Sequence, residues 1–195
     1  MNQAACSFND DDRSSGFSIE KAGGYEFHCY QSSANLPLGF SVGKLVRFMG
    51  VANAIAQMSR DPSTKVGALI FGPGYEIRSS GWNGAPRGCK ADTDERYASR
   101  DEKLWWVAHA ELNAITNAAR TGTPTEGCAL LATHMPCMKC AVAIVQAGIS
   151  VVVCPDYSVG FSERWAADIE RTKRLFYETG VSVVTYLEIG NEKID

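Results

Sequence analysis

The chain has 195 residues, of which 45% are hydrophobic and 21% are charged, and its formal net charge is −3. This composition supports a folded core and excludes wholesale disorder. The slightly acidic balance disfavours non-specific binding to long nucleic acids, which requires a basic surface. No apolar run approaches the roughly 18–20 residues that a membrane span requires.

The first 40 residues are rich in Ser, Asn, Asp and Gly and show no sustained apolar period, so we predict an irregular N-terminal extension over 1–40. Its beginning lacks the charged-then-apolar layout of a signal peptide. The chain has seven cysteines, an odd number that disfavours a disulfide framework. We therefore expect a cytoplasmic location and a single domain over 41–195.

Local patterns in the first half of that domain predict a helix, a hairpin and a second helix. Apolar residues at three- and four-residue spacing begin at about 41, and Asp61-Pro62 ends the helix. Two extended runs, 65–71 and 75–81, flank Gly72-Pro73-Gly74, which is typical of an antiparallel hairpin. A long charged connection over 82–103 precedes an alanine-rich helix over 107–119, and a connection of that length usually has a function.

The second half alternates strands with helices. We predict strands over 128–133, 149–153 and 181–187, and helices over 137–147 and 163–178. Such alternation implies parallel pairing with helices packed on the sheet. The predicted fold is α/β, a three-layer α/β/α sandwich with a mixed five-stranded sheet.

Two short motifs open two of the predicted helices, His109-Ala110-Glu111 and Pro136-Cys137-Met138-Lys139-Cys140. Cysteines three residues apart share a helix face, and a helix N-terminus favours thiolate over thiol. Two thiolates and one imidazole make a three-ligand zinc site with a fourth position open for water. Glu111 is placed to move protons, and together these groups are the equipment for hydrolytic deamination.

Each motif alone would have an ordinary explanation. A lone C-x-x-C pair is also found in redox proteins and zinc ribbons, but this chain has no second pair to complete a ribbon. His109 alone would be an ordinary histidine, and Glu111 alone an exposed helix carboxylate. Their joint occurrence favours a catalytic zinc site with His109, Cys137 and Cys140 as ligands.

The sequence resembles the deoxycytidylate (dCMP) deaminases of the cytidine deaminase superfamily. The matching stretches are DPSTKVGALI (61–70), GWNGAPRGC (81–89), HAELNAI (109–115), PCMKCAVAIVQAGI (136–149) and VVVC (151–154). The resemblance implies a cytidine deaminase-like fold and the conversion of dCMP to dUMP and ammonia, which feeds thymidylate synthesis. Zinc would activate water for attack on C4 of cytosine, while Glu111 would protonate N3.

The resemblance also implies which residues contact the substrate. Asn83 matches the Asn of the family's G-[aromatic]-N-G turn, which contacts the nucleoside sugar. The base pocket would be lined by five residues: Val66, Gly67, Ala68, Ala110 and Pro136.

Family members bind triphosphate effectors, with dCTP activating and dTTP inhibiting, usually as homo-hexamers. The resemblance therefore implies these effectors, accompanied by Mg²⁺, and a homo-oligomer. Positively charged residues are needed for the phosphates. The candidates for phosphate or effector binding are Arg87, Cys89, Arg96, Arg100, Lys103 and Arg120.

Other functions remain open at this point. The dCMP deaminase family usually has Tyr where this chain has Trp82, and a Trp at this position resembles tRNA adenosine deaminases instead. The stretch from Asn83 to His109, however, is longer and more charged than in those enzymes. A deaminase acting on tRNA adenosine or on a free cytosine nucleoside is one alternative. A non-catalytic, zinc-stabilised nucleotide-binding module is another, although such a module would not need Glu111. Trp105 and Trp106 are expected to be packing residues.

Overall fold

A computed structural model describes residues 20–30, 39–89, 94–156 and 165–188. Most of the predicted extension, 1–19 and 31–38, lies outside the described residues. The described strands are β1 (Glu20–Ala22), β2 (Tyr25–Tyr30), β3 (Gly67–Phe71), β4 (Ile77–Trp82), β5 (Ala129–Ala132), β6 (Val151–Pro155) and β7 (Ser182–Glu188). The helices are α1 (Val42–Ala56), α2 (Asp94–Tyr97), α3 (Arg100–Trp106), α4 (Ala110–Thr121), α5 (Met138–Gln146) and α6 (Ala166–Thr179).

The strands form one mixed sheet in the order β1-β2-β7-β6-β5-β3-β4. Strands β5, β6 and β7 pair in parallel, whereas the β3–β4 hairpin and the β3–β5 pair are antiparallel. The predicted parallel pairing and the α/β class are therefore confirmed. Among the helices of the described part of the chain, none has the length and apolar character that crossing a membrane would require.

The predicted count of five strands is wrong, because the sheet has seven in the described residues. Residues 20–30, which we assigned to an irregular extension, form β1 and β2, and β2 pairs antiparallel with β7. Phe27 and Cys29 are buried in the same cluster as Val184 of β7. Strands β1 and β2 therefore contribute to the hydrophobic core, and this burial stabilises them, whereas an isolated two-stranded hairpin is marginally stable.

Successive residues of the central strands face opposite sides of the sheet, so the sheet contributes to two cores and lies between two layers of helices. Ala68 and Ile70 of β3 belong to the core on one face of the sheet, together with buried residues of α4, α5 and α6. Leu69 and Phe71 belong to the core on the other face, where α1 packs. Gly67, at the start of β3, has α1 against it, because an added Cβ would lie only 2.1 Å from the Ala52 carbonyl oxygen.

Candidate metal centre and cavity

The two sequence motifs lie at the N-termini of adjacent helices, as predicted. His109 is the residue before α4 and Cys137 is the residue before α5, and both have extended backbone conformations. Neither side chain caps its own helix, so both are free to turn toward another partner. Cys140 follows in the first turn of α5, on the same side as Cys137.

The three predicted metal ligands come together in the structure. The ligand atoms of His109, Cys137 and Cys140 all lie within 4.8 Å of one another. The Nδ1 atom of His109 is 3.4 Å from each of the two sulfurs. A tetrahedral zinc with ordinary bond lengths would separate nitrogen from sulfur by about 3.6 Å. The donor set and these nitrogen–sulfur distances therefore fit a tetrahedral zinc site.

The electrostatics of the cluster already favour one thiolate. The hydrogen bond between the two cysteines, aided by His109, lowers the pKa of Cys137 to about 4 despite its burial. The same hydrogen bond and burial raise the pKa of Cys140. The hydrogen bond to Cys137 raises the pKa of His109. A site that gathers one negative sulfur, a second thiol and an imidazole is suited to a divalent cation, which binds thiolate and neutral imidazole.

Glu111 lies in the first turn of α4 beside this cluster and is only 3% exposed. Burial raises the pKa of its carboxyl to about 7. A carboxyl group in such surroundings can both accept and donate a proton near neutral pH. The geometry thus puts a carboxyl that titrates near neutral pH next to the candidate metal ligands.

Helix α4 is held close against β4, and this fixes both His109 and Glu111. A Cβ added to Gly81 would lie 2.4 Å from the Ala110 carbonyl oxygen, so only glycine permits this approach. The amide of Asn113 donates to the Trp82 carbonyl at 2.7 Å, and that of Asn117 donates to the Ser80 carbonyl at 2.8 Å. These bonds fix the helix in register along the strand.

Asn83 lies just after β4 and is 5% exposed. Its Oδ1 accepts a hydrogen bond from the Val66 backbone N–H at 2.8 Å. Its Nδ2 donates to Asp61 Oδ2 at 3.1 Å and to the Thr64 carbonyl at 2.8 Å. Because an amide nitrogen has two hydrogens, both are used within the protein. Asn83 can therefore meet a ligand only as an acceptor, through the remaining lone pair of Oδ1.

Asp61 is fully buried and links this turn to helix α3. Its Oδ1 accepts hydrogen bonds from the backbone N–H groups of Ser63 and Thr64, and its Oδ2 forms a 2.5 Å ion pair with the Lys103 ammonium. Burial alone would raise the pKa of Asp61, but the hydrogen bonds from Lys103, Ser63 and Thr64 outweigh it and lower the pKa. Lys103 thus joins the charged connection to the wall of the site.

A cavity of about 840 Å³ opens above the cluster. Its floor includes His109, Glu111 and Cys137. The other predicted site residues that line it are the substrate-binding candidates Val66, Asn83, Ala110 and Pro136 and the phosphate candidates Arg100 and Lys103. Arg100 also lies over the Trp165 ring, with its guanidinium carbon 5.6 Å from the ring centroid. The cavity therefore combines a candidate metal-binding floor with cations contributed by α3.

Some predicted site residues lie outside this cavity lining. Gly67 and Ala68 are buried in β3 behind it. Arg87 is exposed and hydrogen-bonds to Asn117. Arg96 donates to the Cys89 sulfur at 3.0 Å and stacks on Trp106. Arg120 is exposed in the last turn of α4.

Several residues of the cavity wall were not among the predicted site residues. Asp168 and Trp165 come from α6 and the residue before it, and Ser63 and Thr64 from the turn after α1. No local pattern marks Asp168, whose partner Met138 is 30 residues away in the chain. The expectation that Trp105 is a packing residue is wrong, because its side chain is 85% exposed.

Comparisons with known proteins agree with this site. The family model for the cytidine and deoxycytidylate deaminase zinc-binding region matches residues 43–155. An uncharacterised deaminase from the luxG 3′ region of Aliivibrio fischeri is 42% identical over 139 residues, which cover 70% of this chain and 89% of that protein. Human deoxycytidylate deaminase is 43% identical over 110 residues, which cover 54% of this chain and 61% of the human enzyme.

A solved structure gives the same result for the fold. The dCMP deaminase of cyanophage S-TIM5, crystallised with dCMP and dUMP, superposes with a TM-score of 0.58 at 27% identity, covering 74% of this chain and 97% of that one. The matched family region contains both zinc motifs and the turn that carries Asn83. The resemblance drawn from the sequence is therefore confirmed, and this chain belongs to the cytidine and deoxycytidylate deaminase family.

Proposed function

We propose that this chain catalyses the zinc-dependent hydrolytic deamination of dCMP to dUMP and ammonia. The observation that carries the proposal is the cluster of His109, Cys137 and Cys140 beside buried Glu111, at the floor of a cavity with cations on its wall. Relatives named deoxycytidylate deaminase, at 43% identity, support dCMP as the substrate.

His109, Cys137 and Cys140 would hold the zinc, because their three ligand atoms have the spacing that a tetrahedral ion requires. When bound, zinc supplies Lewis acidity that makes a water molecule a nucleophile near neutral pH. Cys140 is itself buried, so this ligand is shielded from bulk water.

Glu111 would move the protons of the reaction. It accepts a proton from the attacking water and delivers it to N3 of the cytosine ring, as a C–O bond forms at C4. It then passes the second water proton to the exocyclic amine, and the C–N bond breaks to release ammonia and leave a carbonyl at C4. Its burial beside the ligands suits this role, because a carboxyl titrating near neutral pH can both take up and release a proton.

Residues in the walls of the cavity would position the substrate. Asn83 would accept a hydrogen bond from a hydroxyl of the sugar, since its own hydrogens are used by Asp61 and Thr64. Val66, Ala110 and Pro136 would contact the base, and Gly67 and Ala68 would support Val66 from within β3. These roles follow from the family resemblance and from the placement of each residue.

The 5′-phosphate would lie at the α3 side of the cavity. Arg100 lines this side with an exposed guanidinium, the group best suited to bidentate phosphate binding. Lys103 also lines the cavity, but it is paired with Asp61, so its charge is partly used within the protein. We therefore assign the larger share of phosphate binding to Arg100.

We also propose that nucleoside triphosphates regulate this chain, because the family that it resembles is regulated in this way. Activation by dCTP and inhibition by dTTP, with Mg²⁺ on the triphosphate, would involve cations outside the cavity lining, namely Arg87, Arg96 and Arg120, together with Cys89, whose sulfur accepts a hydrogen bond from Arg96. A homo-hexamer and a cytoplasmic location belong to the same proposal.

Ammonia release measured from dCMP, CMP, dCTP, deoxycytidine and a tRNA stem-loop, with and without dCTP as effector, tests the proposal. We expect the highest kcat/KM with dCMP and a large loss with deoxycytidine, which lacks the phosphate. Arg100→Ala should weaken dCMP turnover while leaving deoxycytidine turnover within twofold, with exposed Arg171→Ala as the matched control. Preference for deoxycytidine or for the stem-loop would contradict the proposal.

A further inference from the structure

Helix α5, which carries two of the candidate zinc ligands, has no cap from its own N-cap residue. The first N–H groups of any helix lack partners within the helix, and Ser, Thr, Asp or Asn at the N-cap usually supplies an acceptor. Here the N-cap residue is Cys137, whose side chain makes no capping hydrogen bond and instead lies 3.4 Å from His109 Nδ1. The N-terminus of α5 therefore needs an acceptor from elsewhere.

Asp168, from a different helix, supplies an acceptor for one of these first N–H groups. Its Oδ2 accepts the backbone N–H of Met138, the first residue of α5, at a distance of 3.0 Å. Met138 lies between the two cysteine ligands in the sequence. The hydrogen bond thus fixes the backbone at the point from which both sulfurs are projected.

The position of Asp168 is itself fixed by packing. Asp168 lies in the first turn of α6, and its neighbour Ile169 is buried in the same core cluster as Ala141 and Ile144 of α5. Helix α6 therefore packs on the helix whose N-terminus Asp168 caps. A carboxylate at that end also interacts favourably with the helix dipole and with any cation held by the cluster.

We propose that Asp168 is a positioning residue for the zinc ligands, acting through the Met138 N–H to fix the orientation of Cys137 relative to Cys140. The inference rests on one part of the proposed function, namely that the cluster of His109, Cys137 and Cys140 binds zinc. Groups that orient the direct ligands of a metal contribute about 10- to 100-fold to its affinity. Loss of the Asp168 carboxylate should therefore weaken zinc binding within that range while leaving the three ligands in place.

The test compares Asp168→Ala, Asp168→Asn and Glu170→Ala in the full-length, metal-loaded protein. Glu170 is an exposed carboxylate on the same helix and serves as the matched control. Zinc affinity is measured by competition with a chromophoric chelator, and ligand geometry by the visible spectrum of the Co²⁺-substituted protein. Asp168→Ser provides a second truncation if the alanine variant does not fold.

We expect Asp168→Ala to bind zinc at least tenfold more weakly than the wild type and to shift the Co²⁺ absorption bands. Asp168→Asn keeps an oxygen acceptor, so its zinc affinity should stay within about threefold of the wild type, as should that of Glu170→Ala. Wild-type affinity and an unshifted spectrum in the truncated variants would overturn the inference. An increase in KM for dCMP with unchanged zinc affinity would also overturn it, because Asp168 would then contact substrate.

The two proposals fail in different ways. If the wild-type chain binds no zinc, the proposed function fails. If the wild type binds one zinc per chain and Asp168→Ala binds it equally tightly, only the role of Asp168 fails.

Discussion

Gly81 lies in β4 where helix α4 makes its close approach to the sheet, and we predict that Gly81→Ala displaces the helix and impairs the site. The added Cβ would lie 2.3 Å from the Ala114 nitrogen and 2.4 Å from the Ala110 carbonyl oxygen. Ordinary contacts of this kind begin at 3.4 Å. Both close atoms belong to the helix backbone, so no side-chain rotation relieves the overlap, and α4 must move away from β4 by about 1 Å.

Two consequences of this displacement have measurable sizes. Overpacking of a closed interface costs about 1–3 kcal/mol of unfolding free energy. His109 and Glu111 lie at the N-terminal end of the same helix, and a misplacement of about 1 Å at a catalytic group reduces the rate by about 100-fold. We therefore expect the loss of deamination rate to exceed what the loss of folded protein would explain.

The assay combines urea unfolding, zinc content per chain and ammonia release at saturating dCMP. Gly84→Ala is the matched control, because a Cβ there would meet only Trp82 Cδ1, at 3.9 Å. Its activity should stay within about twofold of the wild type. A Gly81→Ala variant with wild-type activity and stability would refute the claim that the α4–β4 contact positions the site.

Three further predictions address other groups. Cys137→Ala should abolish stoichiometric zinc binding, because one of three ligands is lost. Cys128 is a buried cysteine outside the cluster, so Cys128→Ala should retain the zinc. Equal zinc content in the two variants would show that the ligand set is wrong. Asp61→Asn should lower the free energy of unfolding by about 3 kcal/mol at neutral pH, because it removes one partner of a buried ion pair. Because folding lowers the pKa of Asp61 from 3.8, that difference should be constant well above pH 4 and shrink as the pH falls through the folded-state pKa; a difference that grows in acid would contradict the assignment. Arg120→Glu should reduce dCTP activation more than basal turnover because the reversed charge repels a triphosphate, and an unchanged dCTP response in a titration of rate against effector would remove Arg120 from the regulatory site.

The central part of the fold could be predicted because each element carries its own local signal. Gly72-Pro73-Gly74 marks the hairpin, and the alternation after 128 marks the parallel strands. The pairing of β2 could not be located, because its partner β7 lies more than 150 residues further along the chain. A local signal for β2 itself was present, since Tyr25, Phe27 and Cys29 alternate with polar residues over six positions.

The connection after β4 is a second region that the sequence prediction described incompletely. We predicted a long charged link over 82–103, whereas the structure has two short helices within and just beyond it. Ser99 and Glu102 have the spacing of a capping box, and the Ser99 hydroxyl accepts the Glu102 backbone N–H at 3.1 Å. That signal could have identified the start of α3. The exposure of Trp105 could not be read from its residue type, which usually favours burial.

The candidate ligands could be predicted because their chemistry is specific to short motifs, whereas their supporting residues could not. His109, Cys137 and Cys140 are recognisable by type and spacing alone. Asp168 and Asp61 act through backbone groups and a distant lysine, and contacts of that kind depend on the packing of helices that are remote in sequence.

Glu111→Gln tests whether Glu111 transfers the protons of deamination, because it keeps the shape of the side chain and removes its ability to move a proton. Ammonia release from dCMP is compared between the wild type and the variant at equal zinc content per chain. We expect full zinc occupancy in both proteins and a loss of turnover of at least about 100-fold in the variant. Wild-type turnover by zinc-loaded Glu111→Gln would contradict this role of Glu111.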